Sequence, residues 1–93
     1  MNKVSDYYGK YLKPGTYVCR ISGDSEEEIL TEYGIVVYCW MNPEIDMYDC
    51  YIAFYGFSMP IDKEELEEPP YILRYASTSL IVVNENGEPN ERA

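Results

Sequence analysis

Apolar and polar residues alternate along much of the chain, and a period of two residues is typical of half-buried β-strands. In residues 16–22, for example, Tyr17, Cys19 and Ile21 fall on one face of such a strand. β-branched and aromatic residues, which favour strands, are frequent in the same stretches. Five segments are predicted to be strands from alternation or from their strand-favouring composition: residues 16–22, 35–41, 48–57, 71–76 and 80–83.

Residues 35–41 are apolar almost without interruption, which is typical of a strand buried on both faces or of one with an aromatic outer face. Gly34 leads into this strand, and residues 29–33 before it are expected to be extended or the edge of a loop. In residues 48–57 the alternation is clearer, and it places Cys50, Ile52 and Phe54 on one face. Asp49, Tyr51, Ala53 and Tyr55 fall on the other.

Turn and helix signals lie between these segments. Residues 5–12 are predicted to form a short helix with Ser5 as N-cap, ended by the turn sequence Lys13-Pro14-Gly15. Residues 62–68 are predicted to make one helical turn before a double proline. Residues 77–79 are predicted to form a short turn, and one 3₁₀ turn is a form that this turn can take.

This order of elements predicts a mainly β protein: a small five-stranded antiparallel SH3-like barrel or roll with a short N-terminal helix. A 3₁₀ turn before the last strand and a long loop after the first are common in SH3-like barrels. An OB-like barrel or an α+β fold is the alternative. With 93 residues, the chain is expected to be one domain, with a helix and turn in 1–15, the barrel in 16–83 and a frayed tail in 84–93.

The charge balance then narrows the classes of function. Seventeen Asp and Glu stand against seven Lys and Arg, which gives a net charge of −10 without any histidine. Yet 46% of the residues are apolar and eleven are Tyr, so the chain is expected to fold. Such a charge repels nucleic acid and anionic membranes and attracts basic protein surfaces. Residues 1–10 lack an apolar signal-peptide core and no long apolar run follows, so we expect a cytoplasmic protein without a membrane span.

Motifs for catalysis are missing from the sequence. Without histidine there is no Ser-His or Cys-His arrangement, and no Gly-rich phosphate loop is present. We therefore expect neither an enzyme nor a cofactor. Cys19, Cys39 and Cys50 show no C-x-x-C spacing, so the sequence favours buried, reduced thiols over a metal site, a strained disulfide being the alternative.

Acidic residues gather between the predicted strands, where they form either solvated loops or a surface for a basic partner. Opposite charge on a partner would speed association and exclude wrong partners. The spacing of the central cluster does not follow a calcium-binding loop. The carboxylates predicted to bind a partner are Asp24, Glu26, Glu27, Glu28, Glu32, Glu44, Asp46 and Asp49.

Aromatic residues supply the second part of the predicted surface. If the second and third strands pair, Tyr38, Trp40, Tyr51 and Tyr55 form one aromatic face, and Tyr38, Trp40 and Tyr48 are the predicted partner-binding anchors. Alternatively, the chain's own Tyr7, Tyr8 and Tyr11 cover that face, while Tyr17 and Tyr75 are predicted to be core. Stacking on nucleobases is disfavoured, because only Arg20 and Arg74 lie in strands.

The segments YGIVVYCWMN, YDCYIAFYGFSMP and PPYILRYASTSLIVV, in a short acidic chain, resemble the small immunity proteins of bacterial polymorphic toxin systems. The resemblance covers roughly residues 34–83 and implies a protein that binds and blocks a cognate toxin, with no functional residue carried over. The leading hypothesis is therefore a non-enzymatic inhibitor, monomeric when free. A phage-encoded nucleic-acid mimic and a small assembly or regulatory subunit are the alternatives.

Overall fold

The computed structural model describes residues 9–22, 30–59, 61 and 69–89. The predicted mainly β class with five antiparallel strands is confirmed. A single 3₁₀ turn, Ser77–Ser79, lies before the last strand, where the sequence predicts it. The strands in this part of the chain are β1 (Tyr17–Ser22), β2 (Leu30–Asn42), β3 (Met47–Gly56), β4 (Tyr71–Ala76) and β5 (Ile81–Val82).

All five strands belong to one open sheet with the order β4-β3-β2-β1-β5. Sequential strands are neighbours except for β5, which follows β4 through the 3₁₀ turn and pairs with β1 at the opposite edge. The predicted SH3-like barrel is therefore not shown as a closed barrel, since β4 and β5 remain the two edges of the sheet.

The sheet is strongly curved. β1 and β4 are three strand spacings apart, which is about 14 Å in a flat sheet. Yet the guanidinium carbon of Arg20 on β1 lies 4.5 Å from the ring centroid of Tyr75 on β4. The contact indicates that the sheet bends towards the face that both side chains occupy.

The hydrophobic core fills this concave face. Paired residues in the register, such as Val36 with Ile52 and Cys39 with Cys50, point to the same side. Tyr75 packs against this core as predicted, whereas Tyr17 is half-buried and outside the core cluster. The buried members of the cluster are Leu12, Val18, Val36, Cys39, Cys50, Ile52 and Phe54.

The predicted N-terminal helix is not seen. Residues 5–8 lie outside the described residues, and residues 9–12 are not helical. Gly9 has a φ of 84°, in the left-handed region. The amide of Lys10 donates to Ser77 Oγ (3.1 Å) and that of Leu12 to Cys39 Sγ (3.3 Å), so tertiary contacts replace helical hydrogen bonds.

The end of the described chain is a hydrogen-bonded turn. The amide of Asn84 donates to the carbonyl of Glu88 at 2.8 Å, and Val83 forms a bridge with Pro89. The predicted frayed tail covers residues 84–93, of which 90–93 are outside the described residues, as is the predicted helical turn at 62–68. Among the residues that the structure describes, no helix has the length and apolarity needed to cross a membrane.

Candidate partner-binding surface

Three aromatic rings stack on the convex face of the sheet. The ring centroids of Tyr38 and Trp40 are 5.8 Å apart with planes at 22°, and those of Trp40 and Tyr51 are 5.2 Å apart at 25°. Tyr38 is 56% exposed and Tyr51 40%, while Trp40 between them is half-buried. We call Tyr38, Trp40 and Tyr51 the aromatic ladder. It gives β2 and β3 a preordered, solvent-facing aromatic surface.

A β-bulge puts the aromatic ladder on this face. Val36 pairs with Ile52 in the core, and in a regular strand Tyr38 and Trp40 would share the face of Val36. The register shifts between Val36 and Tyr38, so Val37 is an extra residue and is exposed. Beyond the bulge Tyr38 opposes Tyr51, and both rings point away from the core.

A buried polar cluster adjoins the aromatic ladder. Asp49 opposes Trp40 on β2 and is only 2% exposed. Its carboxylate accepts hydrogen bonds from Asn42 Nδ2 (3.2 Å) and from the amide of Cys50 (3.1 Å). The exposed Arg74 on β4 completes the cluster, with Nε 3.3 Å from Asp49 Oδ2. The cluster ties β2, β3 and β4 together beside the rings.

Glu32 is also a buried carboxylate. It opposes Arg20 in the β1–β2 register and is 7% exposed. Burial raises the pKa of the Glu32 carboxyl, and the positive charge of Arg20 opposes this rise. Glu32 and Asp49 were both predicted to bind a partner, but neither carboxylate is accessible, because each is buried within the sheet.

The remaining predicted carboxylates divide into two groups. Glu44 and Asp46 are exposed in the turn between β2 and β3. Asn42 Oδ1 accepts a hydrogen bond from the amide of Glu44 at 3.0 Å, and Asp46 has a φ of 53°, a conformation that Asp tolerates better than most residues. The other group lies outside the described residues: Asp24, Glu26, Glu27 and Glu28.

Tyr48 does not belong to the aromatic ladder. It packs against the hydrophobic core and contacts Tyr11 edge-on, with ring centroids 6.2 Å apart. Tyr11 therefore lies on the concave side and does not cover the aromatic ladder. Tyr55 is half-buried near the end of β3, and Tyr7 and Tyr8 are outside the described residues.

Sequence reasoning missed Arg74, Asn42 and the bulge at Val37 as parts of this surface. A signal for Arg74 was present: it is the lone charge in residues 71–76, as Asp49 is in residues 48–57. Opposite lone charges on the same face of neighbouring strands are expected to pair. The bulge has no comparable signal in the sequence, because it lies within a continuous apolar run.

The described residues contain no candidate metal site. No group of three or more potential ligands occurs among the described residues. The three cysteines are free thiols, and their predicted burial is confirmed. Comparison of the chain with protein-family models, curated proteins and solved structures finds no match.

Proposed function

We propose that this protein is a non-enzymatic acidic inhibitor that binds a basic site on a protein partner through the aromatic ladder. We further propose that the partner is a bacterial toxin, which makes the chain an immunity protein. The aromatic ladder is the observation that carries the proposal, because stacked Tyr and Trp side chains on rigid strands are typical of interface hot spots.

The geometry of the aromatic ladder suits an anchor. Its rings are already ordered by mutual stacking and by the β2–β3 register, so little side-chain entropy remains to be lost on binding. Tyr38 and Tyr51 are both exposed to solvent, and each carries a phenol hydroxyl group. A partner can therefore bury apolar area while it hydrogen-bonds to the phenols.

The charge of the chain supports a basic partner. Glu44 and Asp46 are exposed in the turn that directly follows the strand bearing Tyr38 and Trp40. With a net charge of −10, the chain attracts Lys and Arg over a distance of about one Debye length, which is about 8 Å at physiological salt. The acidic field speeds the encounter, and the aromatic ladder holds the complex.

We also propose that the curved sheet is an SH3-like roll. Three observations support this assignment: the strand order β4-β3-β2-β1-β5, the 3₁₀ turn before β5, and the contact between Arg20 and Tyr75 across the concave face. In the part of the chain that the structure describes, Tyr38 and Tyr51 remain exposed on the convex face of β2 and β3, where a partner can bind.

One observation favours a second candidate, an assembly subunit. β4 is an edge strand in the described sheet, and its apolar residues Tyr71, Ile72 and Leu73 are exposed. An exposed apolar edge is a site where another chain can pair. An assembly subunit purified alone is expected to be an oligomer, whereas the inhibitor is expected to be a monomer, so light scattering on the purified chain separates the two candidates.

A nucleic-acid mimic needs carboxylates that follow each other like phosphates along one surface. Of the four described carboxylates predicted to face a partner, Glu32 and Asp49 are buried, and only Glu44 and Asp46 are exposed. The described surface therefore favours an aromatic anchor over a row of charges.

A growth assay tests the proposal. Bacteria express the product of the gene that lies next to the gene for this chain. We expect this product to stop growth and the present chain to restore it when co-expressed. The Tyr38→Ala variant should protect less well, whereas Phe57→Ala, which truncates an aromatic residue that is 61% exposed outside the aromatic ladder, should protect fully. A harmless gene product, or a toxic one that the chain does not neutralise, would contradict the proposal.

A further inference from the structure

Cys39 and Cys50 form a pair of facing thiols in the centre of the sheet. They are directly opposed in the β2–β3 register, and their Sγ atoms are 3.4 Å apart. Opposed Cα atoms in antiparallel strands lie about 4.5–5.5 Å apart, within the range of about 4.4–6.8 Å that disulfides span. The backbone is thus already placed for a bond, and only the sulfur atoms need to approach.

We propose that Cys39 and Cys50 are a redox-active dithiol that a small neutral peroxide converts into a reversible disulfide. This inference is independent of the proposed function, because it rests on the concave face of the sheet and needs no partner. The class of oxidant follows from the burial of both thiols in the hydrophobic core, which excludes bulky or charged reagents.

Hydrogen bonds distinguish the two sulfur atoms. Cys39 Sγ accepts one hydrogen bond from the thiol of Cys50 and another, at 3.3 Å, from the amide of Leu12. Two donors directed at one sulfur stabilise the negative charge that it carries as a nucleophile. Burial, followed by the hydrogen bond with Cys39, raises the pKa of the Cys50 thiol, so Cys50 is the poorer nucleophile. Cys39 is therefore the attacking sulfur.

The reaction balances in two steps. The Cys39 sulfur attacks one oxygen of hydrogen peroxide, the O–O bond breaks, and a sulfenic acid and one water molecule result. The Cys50 sulfur then attacks the sulfenic sulfur, the S–O bond breaks, and a second water molecule leaves with the Cys50 proton. Two thiols lose two electrons and two protons in total, and peroxide is reduced to water. A dithiol reductant reverses the change.

Cys19 cannot replace either sulfur. It pairs with Tyr33 in the β1–β2 register, and this places it on the convex face, on the other side of the sheet from Cys39 and Cys50. It is nevertheless a buried free cysteine like the other two. Cys19→Ser is therefore a matched control for any general effect of losing a buried thiol.

Counting the thiols after oxidation tests the inference. The folded protein is treated with hydrogen peroxide, unfolded, alkylated with iodoacetamide and weighed by mass spectrometry. The reduced protein carries three thiols and should take three labels. The oxidised protein should take one label, on Cys19, and should recover all three after dithiothreitol; the Cys19→Ser variant should still form the Cys39–Cys50 link.

Trapping of the sulfenic acid tests the order of attack: the peroxide-treated protein is unfolded in the presence of dimedone, which is too bulky to reach the buried sulfur atoms of the folded protein. The Cys50→Ser variant should be labelled at Cys39, whereas Cys39→Ser should leave Cys50 unlabelled. Wild-type protein that keeps three alkylated thiols after peroxide, or that links Cys19 instead, would overturn the inference whether or not the variants fold.

Discussion

Asp49 shows how a charged residue can lie inside this small sheet. A buried carboxylate is costly unless donors surround it. Asp49 receives hydrogen bonds from Asn42 and from the amide of Cys50, and it forms an ion pair with Arg74, whose side chain remains in contact with solvent. The cation is therefore not fully dehydrated, which reduces the desolvation cost that usually offsets a buried ion pair.

Asp49→Ala should lower the free energy of unfolding by about 1–3 kcal/mol, because it leaves the buried donors of Asn42 and Cys50 unpaired. Urea unfolding measures the change. Glu44→Ala removes an exposed carboxylate a few residues away and should stay within about 0.5 kcal/mol of the wild type. Equal effects of the two substitutions would show that the cluster does not stabilise the sheet.

Glu32 makes the stability depend on pH in the opposite sense to most carboxylates. Its folded-state pKa is raised by burial, so the folded protein holds this proton more tightly than the unfolded chain does. The contribution of Glu32 to stability is therefore greatest at low pH, and it is lost as pH rises from the usual glutamate pKa through the raised value.

Glu32→Gln should therefore stabilise the protein more at pH 7 than at pH 4, since the neutral amide needs no dehydration of a charge. Urea unfolding of wild type and variant at both pH values gives this comparison. A variant that gains nothing on going from pH 4 to pH 7 would mean that Arg20 fully compensates the buried charge.

At the scale of elements, β2 determines the shape of the site. It is a single strand of thirteen residues that contains Gly34 and the bulge at Val37. A Cβ atom at Gly34 would lie 2.6 Å from Ile52 Cγ2 and 2.7 Å from the carbonyl oxygen of Ala53. Glycine is therefore required by close packing against β3.

Gly34→Ala should destabilise the protein by about 1–3 kcal/mol, because the added methyl group meets backbone that cannot easily move. Val37→Ala, which shortens an exposed side chain on the same strand, should have a much smaller effect. Thermal unfolding of the two variants provides the comparison. A Gly34→Ala variant as stable as Val37→Ala would mean that β2 and β3 are more loosely packed than the structure shows.

The sequence predicted the positions of the strands better than their exact bounds and pairing. The pattern of strand-favouring residues identified β1, β3 and β4 within about a residue; in β1 and β3 it alternates between the two faces, whereas the first four residues of β4 are all exposed. It did not identify the start of β2, since Gly34 reads as a break although the strand runs through it. Neither did it reveal the bulge at Val37, because a continuous apolar run has no alternation that a shift could interrupt.

The sequence likewise predicted only part of the candidate site. The predicted pairing of the second and third strands brings Tyr38, Trp40 and Tyr51 together on one face. The fourth predicted member of this face, Tyr55, is half-buried near the end of β3 and does not join the stack. Burial of Glu32 depends on a neighbour from another strand, Arg20, which local patterns do not reveal. The pairing of Asp49 with Arg74 has a signal only in the lone charges of their two strands. A carboxylate in a strand is read as a surface group unless its partner strand is known.

At the scale of the whole molecule, self-repulsion opposes folding of a chain with a net charge of −10. Added sodium chloride should therefore raise the Tm of the free protein, with most of the gain between about 0.01 and 0.15 M as the Debye length falls from about 30 to 8 Å. Differential scanning calorimetry at constant pH measures this. A Tm that falls over this range would show that attractive ion pairs outweigh the repulsion.

The whole molecule and the aromatic ladder have different roles in the proposed binding. The acidic field acts at long range and should affect association, whereas the aromatic ladder acts at contact and should affect dissociation. Raising the salt concentration should therefore slow association of the complex with a basic partner.

The most direct measurement is the dissociation rate of that complex for Trp40→Ala beside Phe57→Ala. If the aromatic ladder is the anchor, Trp40→Ala should weaken binding by about 2 kcal/mol, a change of roughly 30-fold that lies mainly in faster dissociation. Phe57→Ala should dissociate at the wild-type rate. Equal dissociation rates for wild type and for both variants, all correctly folded, would contradict the claim that the aromatic ladder binds the partner.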